Sequence, residues 1–306
     1  AQFLGLRHII LNSSQNQPQQ LIHDFLKTYQ EPFGDFSGMP SAWVAREARQ
    51  RGVKVLLSGD GADELFYGYS RVRARLQAAP WYRFPLAFRK LFRKFIPLSG
   101  LTANNLAEMT RLMEQGASDE LLNQVYAKRQ KDYWHLINPK PQEYAKTLRE
   151  VQLQRYFQAM ALKVDRATMR FSVEARVPFM DCHVIEFALG LAASECLGKK
   201  GEYKLPVKDI YTRLLPGIRP PTRKIGFGIP LVYWLENELN SWALDLLELP
   251  SCFDEYIDWG LLKGELKSKK ITHSVLAWSL LYLKLWDLHY LQNRDSHELL
   301  RLDSLV

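Results

Sequence analysis

Cysteine is scarce in this chain, and what there is stands badly placed for cross-linking. Cys182, Cys196 and Cys252 are odd in number, far apart and without CxxC spacing, which argues against a disulfide framework and a zinc site and fits a reducing cytoplasm. None of the seven histidines has metal-ligand spacing or triad spacing with a cysteine or serine. Only His8, at the start of an expected strand, is a candidate to face a ligand. Long hydrophobic runs are missing as well. The most apolar stretch, Val275 to Leu291, carries Lys284, Asp287 and His289 and is too short and too polar to span a bilayer, so it reads as a core helix. There is no internal repeat and no low-complexity tract, and nothing from Ala1 onward resembles a signal peptide. Ala1 to His8 reads as a helix end entering a strand at His8 to Leu11, an abrupt start that, with no initiator methionine, suggests a chain cut at its left edge.

What remains is an ordinary globular composition: 306 residues with 47% hydrophobic content can bury a large core. The net charge of +8 would favour anionic partners but is modest for this length and sits mostly between Arg71 and Lys94. There the basic residues alternate with Trp81, Tyr82, Phe84, Phe88, Leu91, Phe92 and Phe95, the pattern of a basic amphipathic helix. Such a helix either packs its apolar stripe into the core with its arginines in water, or offers itself to a membrane surface, an RNA or a partner protein.

The first 80 or so residues alternate between strand and helix. The pattern predicts a strand at His8 to Leu11, a helix at Gln19 to Tyr29, a loop from Glu31 to Pro40, a helix at Ser41 to Arg51 and a strand at Val53 to Leu57. Beyond that point strand signals nearly vanish and the pattern is helical, through Leu106 to Gln115, Asp119 to Ala127, Glu143 to Arg170 and Val184 to Leu191. Val53 to Leu57 is short, β-branched and apolar, as expected of a strand buried on both faces of a parallel sheet. It runs into Ser58-Gly-Asp-Gly-Ala-Asp-Glu64, where glycines break the strand and apolar periodicity resumes at Leu65. A strand, a glycine turn and a helix N-terminus present backbone N–H groups at the carboxyl edge of a sheet, where open α/β folds bind ligands. Asp60, Asp63 and Glu64 on that edge would repel a bare anion, so Mg²⁺ between acid and phosphate is the sensible arrangement. A capped helix in which Asp60 or Asp63 satisfies first-turn donors is the competing interpretation.

Two further segments concentrate charge. Lys163 to Asp181 places Asp165, Arg166, Glu174 and Arg176 among core-like Val, Phe and Met, and is expected to form acid–base clamps. Arg219 to Pro230 holds Arg219, Arg223 and Lys224 with two glycines and three prolines, Pro220, Pro221 and Pro230. A rigid basic loop of this kind can reach phosphate, and a lysine suits a leaving pyrophosphate whose charge grows in the transition state.

Taken in order, Ser58 to Tyr69, Asp165-Arg166 with Val173 to Asp181, and Arg223 to Pro230 resemble the synthetase domain of glutamine-dependent asparagine synthetases; Glu31 to Pro40 and Gly201 to Lys204 look like family segments too. The resemblance implies a PP-loop ATPase fold, an α/β parallel sheet wrapped by helices with a helical C-terminal extension. It also implies ATP and Mg²⁺ as cofactors: aspartate attacks the α-phosphorus of ATP to give an aspartyl-adenylate and pyrophosphate, and ammonia, drawn from glutamine in the full-length enzyme, displaces AMP. By resemblance, Ser58 and Gly59 contact the adenylate, Asp63 serves the Mg²⁺–pyrophosphate, Asp60 stands where the family usually has a glutamate near the acyl-adenylate, and Lys224 neutralises pyrophosphate. It further implies a cytoplasmic homodimer that handles small molecules and no nucleic acid; peripheral membrane contact stays open. Three departures stand out. The glycine-rich Ser-Gly-Gly-x-Asp-Ser loop is absent from residues 1–306, as is the glutaminase domain, so an inactive fragment is expected. In Arg155 to Leu162, Gln158 and Met160 occupy a turn where relatives often place an acid. Two alternatives follow, amidation of another carboxylate such as a surface-sugar uronate, and a non-catalytic interaction module of the same fold.

Overall fold

The computed structural model describes residues 2–11, 18–92, 103–106, 108–109, 119–125, 143–198, 202–220 and 226–302. In chain order its main elements are α1 (Pro18–Tyr29), α2 (Gly38–Gln50), β1 (Val55–Leu57), α3 (Ala62–Leu65), α4 (Ser70–Ala78), α5 (Leu86–Phe92), α6 (Asp119–Val125) and α7 (Tyr144–Val151). They continue with α8 (Gln158–Met169), β2 (Glu174–Arg176), α9 (Cys182–Gly190), α10 (Leu205–Leu214), α11 (Leu231–Glu236), α12 (Asn240–Glu248), α13 (Gly260–Ser268) and α14 (Ser274–Trp286). The result is a mostly helical α/β structure.

Helices carry the core because their apolar positions recur at helical spacing. On α1, Leu21, Ile22, Phe25, Leu26 and Tyr29 are buried, and they join Trp242 of α12 and Trp278, Leu281 and Leu285 of α14 in one cluster. A second cluster gathers Leu65, Phe66, Tyr67, Val72, Tyr144, Leu148 and Cys196. Each fully buried large side chain of this kind contributes about 1.5–3 kcal/mol. The helix expected at Val275 to Leu291 is α14 followed by a π turn, Asp287–Leu291. Likewise Tyr144 to Met169 is one helical run interrupted by a π turn at Gln152–Phe157. All three cysteines are free.

Several expectations fail. His8 to Leu11 forms no strand; these residues are irregular, and Ile10 is 79% exposed. Three apolar residues in a row make a strand only where another strand supplies hydrogen bonds, and none of the described ones does. The loop from Glu31 is shorter than expected, since α2 begins at Gly38 with Met39 and Pro40 buried. A strand also appears where charge alone was apparent: β2 pairs in parallel with β1, with Val55 opposite Glu174, Leu56 opposite Ala175 and Leu57 opposite Arg176. The ladder continues past both ends through Glu174 N to Lys54 O at 2.8 Å and Ser58 N to Arg176 O at 2.9 Å. Nor is β1 buried on both faces. Leu56 and Ala175 are half-buried, whereas Val55 and Leu57 are exposed, because among the described residues the sheet has two strands and α8, itself packed on α2, lies against β2.

The basic stretch does not form one helix either. Pro80 and Pro85 divide it into α4, a 3₁₀ turn at Ala79–Arg83 and α5. Its arginines are not all in water: Arg75 and Arg89 are buried.

Buried charge in the C-terminal region gives a pH signature. Asp287 is fully buried, and its Oδ2 accepts from the Cys252 backbone N–H at 3.1 Å and from Gln292 Nε2 at 3.0 Å. Burial alone would raise its pKa, but hydrogen bonds from Ser251, Cys252 and Gln292 outweigh it and hold the carboxyl below the ordinary value. A depressed folded pKa contributes stability above the unfolded value of about 3.9, lost as pH falls through the folded pKa. Asp287→Asn should therefore lower Tm at neutral pH, with the gap to the natural protein closing below about pH 4. Thermal melts across pH test this, and a gap that persists unchanged into acid would contradict it.

Candidate active site

The turn after β1 takes its shape from glycine. Gly61 has φ +93°, a left-handed conformation that few other residues adopt, and an added Cβ would lie 3.1 Å from both Phe157 Cε2 and Phe179 Cβ. Phe157 ends the π turn, a feature that often marks functional sites. From this turn rises α3, a single helical turn that carries Asp63 and Glu64.

A cavity of about 370 Å³ opens against the turn. Ser58, Gly59, Asp60, Gly61, Asp63 and Glu64 line one side, and Met160, Lys163, Val164 and Thr168 of α8 line the other, with Phe227 at its margin. Four of the five residues singled out from sequence, Ser58, Gly59, Asp60 and Asp63, thus share one wall. Ser58 Oγ donates a hydrogen bond to Asp60 Oδ2, which ties the turn together. Lys224, the fifth, lies outside the described residues, as do Arg223 and Pro221; Phe227, three positions on, reaches the cavity.

The acids are not bare. Asp63 Oδ1 lies 2.9 Å from Lys204 Nζ, on a lysine with φ +54° at the start of α10. Glu64 is 2% exposed and accepts a hydrogen bond from the Tyr69 hydroxyl. Burial first, then the neighbouring Glu64 carboxylate, push the Tyr69 phenol far above its ordinary value, so it remains a donor. The cation in the opposite wall is Lys163, whose Nζ donates to Ser37 Oγ at 3.0 Å and lies 3.6 Å from Asp35 Oδ2. Arg166, one turn on, pairs with Glu31 at 2.7 Å and donates to Tyr29 O at 2.8 Å. Together these contacts staple the 31–37 loop to α8 beside the cavity. The expected clamp role of Arg166 is what the structure displays, while Glu174 and Arg176 pair with each other at 2.9 Å on an exposed edge.

Sequence reasoning placed Glu64 on the ligand edge without giving it a role, and passed over Lys163, Tyr69 and Lys204 as site residues. One signal was available for Lys163. It shares a helical stripe with Met160, Val164 and Ala167, so a lysine occupies an otherwise apolar face.

Among the described residues no three His, Cys, Asp or Glu side chains converge as a metal cage. This donor set suits Mg²⁺, which takes one or two carboxylates and fills its octahedron with water and substrate phosphate. Asp63, with Asp60 beside it, has the hard oxygen chemistry such an ion needs.

A glycine turn and three acids that follow β1 thus meet a lysine of α8 at one cavity of a mostly helical α/β protein with a small parallel sheet. Residues 1–288 match the family model described as Asparagine synthase, and the chain belongs to that family. It is 27% identical to Asparagine synthetase [glutamine-hydrolyzing] 1 of Bacillus subtilis strain 168, over 96% of this chain and 50% of that protein. It is also 27% identical to a putative asparagine synthetase [glutamine-hydrolyzing] of Mycobacterium tuberculosis H37Rv, over 94% of this chain and 47% of the relative. A putative asparagine synthetase [glutamine-hydrolyzing] 2 of Methanocaldococcus jannaschii is 51% identical, over 17% of this chain. The chain spans about half the length of the first two relatives.

Proposed function

We propose that this chain is the synthetase part of an ATP-dependent, AMP-forming amide ligase that converts aspartate to asparagine. The observation that carries this reading is the gathering of Ser58, Gly59, Asp60, Asp63 and Lys163 around one cavity, in a chain of the asparagine synthase family. The aspartate side-chain carboxylate attacks the α-phosphorus, the bond from that phosphorus to the bridging oxygen breaks, and pyrophosphate leaves with the electron pair. Ammonia then adds to the acyl carbon of the adenylate, AMP departs, and the amide loses a proton.

In this reading the residues divide the work by charge. The backbone N–H groups of Gly59 and Gly61 bind anionic oxygens, since those of Ser58 and Asp60 donate within the protein, and Gly59, with nothing within 4 Å of a Cβ position, leaves room for close approach. Lys163, with Lys224, supplies positive charge as it develops on pyrophosphate. Asp63 and Asp60 would hold Mg²⁺, which neutralises phosphate charge when bound. Lys204 orients Asp63, and Tyr69 orients Glu64. In the same reading the chain is one synthetase-type domain of the PP-loop kind that works in a cytoplasmic homodimer.

The test uses the complete natural protein with Mg-ATP, aspartate and ammonium. Pyrophosphate release and asparagine by mass spectrometry, each dependent on aspartate, are expected. Aspartate-independent turnover, or no pyrophosphate at all, would overturn the assignment. Pyrophosphate release with another carboxylate alone would move it to that acceptor, an outcome that the absence of an acid at Gln158 and Met160 makes worth including.

A further inference from the structure

The segment after α4 is built inside out. On α5 the buried side chain is a cation: Arg89 is 3% exposed and donates to Ala103 O at 2.8 Å, Asn104 O at 3.3 Å and Phe84 O at 3.2 Å. Its guanidinium also sits 4.0 Å from the centre of the Tyr82 ring. Phe84, Phe88 and Leu91, spaced i, i+4 and i+7, are exposed by 46%, 37% and 62%. That spacing puts them on one face. Were the apolar stripe there to build the core, the helix would be turned the other way, since burying an arginine and exposing three large apolar side chains are both unfavourable. Carbonyls at Phe84, Ala103 and Asn104 hold the inverted arrangement in place.

Within the segment charge has one sign; Glu108, the acid near Tyr82, is half-buried and accepts from the Asn104 backbone N–H. Arg83 and Lys90 are exposed beside the stripe, and no Asp or Glu stands between Glu64 and Glu108. The complementary partner is anionic and apolar at once. The Phe84 and Phe88 rings stack on each other at 5.0 Å, and the patch continues through Leu91, an exposed aliphatic side chain with no ring on which a base could stack, which favours lipid over RNA. No helix among the described residues is long and apolar enough to cross a membrane, so such contact would be peripheral.

We propose that Arg83–Leu91 docks this protein on an anionic lipid surface. Phe84, Phe88 and Leu91 enter the boundary between headgroups and acyl chains, and Arg83 and Lys90 pair with lipid phosphates. The inference is independent of the reaction catalysed.

Sedimentation of the complete natural protein with vesicles tests it. Binding to phosphatidylcholine vesicles containing phosphatidylglycerol is expected, with little binding to phosphatidylcholine alone and release by added salt. The double variant Arg83→Gln, Lys90→Gln should partition about thirtyfold more weakly, each basic residue contributing about fivefold. Phe84→Ser with Phe88→Ser should abolish binding. All four side chains are exposed, so unchanged thermal melts will show that the variants remain folded. Equal binding to both vesicle types, no binding to either, or variants that bind like the natural protein would each overturn the proposal. Retardation of RNA without vesicle binding would do so as well.

Discussion

Lys163→Met is expected to lower kcat/KM for aspartate-dependent pyrophosphate release by about 10²–10³-fold, the usual effect of removing one preorganised group aimed at developing charge. The side chain is 13% exposed and stands across the cavity from Ser58 and Gly59, where water screens it little. Methionine keeps the length of the apolar stem against Met160 and Val164, so the change removes charge with little loss of packing. Its partner Asp35 is 50% exposed and remains solvated when the lysine goes, so the stability change should be below about 1 kcal/mol. A melt near that of the natural protein together with a collapsed rate is the expected pair of results. Lys163→Arg separates charge from shape: it keeps the cation but replaces a movable point charge with a planar fork, and should recover part of the rate. If Lys163→Met turned over normally, the lysine would be only a staple for the 31–37 loop.

The helices were legible because burial repeats at helical spacing: α1, α2 and α14 stand close to where the periodicity puts them. The strands were less so. Glu174-Ala-Arg176 has a single apolar residue, and nothing local marks it as β; it becomes a strand because Val55 to Leu57 offers it a parallel ladder. His8 to Leu11 shows the converse, an apolar run that looks like a strand but has no described neighbour to bond. The polarity of the basic segment was not legible. Periodicity places Phe84, Phe88 and Leu91 on one face but cannot say which way that face turns, and carbonyls at Ala103 and Asn104, well along the chain, decide it by capturing Arg89.

At the site, the turn itself was legible. Glycines and acids after an apolar run carry their meaning locally, since Gly61 needs its left-handed φ and Ser58 bonds Asp60 two residues away. The opposite wall was not. Lys163 meets Ser37 across 126 positions of chain, and Asp63 meets Lys204 across a comparable span, so their relevance arises only once α8 and α10 are packed. Charge in the 163–181 segment was correctly expected to be paired at Arg166, but which member would face the cavity depends on how α8 is rotated, and that is fixed by Met160, Val164 and Ala167.

The Asp63–Lys204 pair is the basis for the second large effect. Gly68 closes the turn after α3, its N–H donating to Asp63 O at 2.8 Å and its carbonyl accepting from Arg73 Nη1 at 2.6 Å. A Cβ there would fall 1.8 Å from Asp63 Oδ1 and 2.4 Å from Lys204 Cε, far inside contact distance. Gly68→Ala must therefore swing the carboxylate off its lysine or move a backbone bonded on both sides and preceded by Tyr67 at φ +55°. Overpacking of this kind is worth about 1–3 kcal/mol, visible as a fall in Tm. The effect on the reaction should exceed what that destabilisation explains: with Asp63 displaced, kcat/KM for pyrophosphate release is expected to fall by about 10²-fold or more, even at a temperature where the variant is fully folded. Lys204→Ala supplies the comparison, since it clears part of the clash. In the Gly68→Ala background it should restore Tm more than activity, because Asp63 then has space but no partner to hold it. Equal recovery of both would mean that the lysine only fills volume, and Asp63 would need another source of orientation.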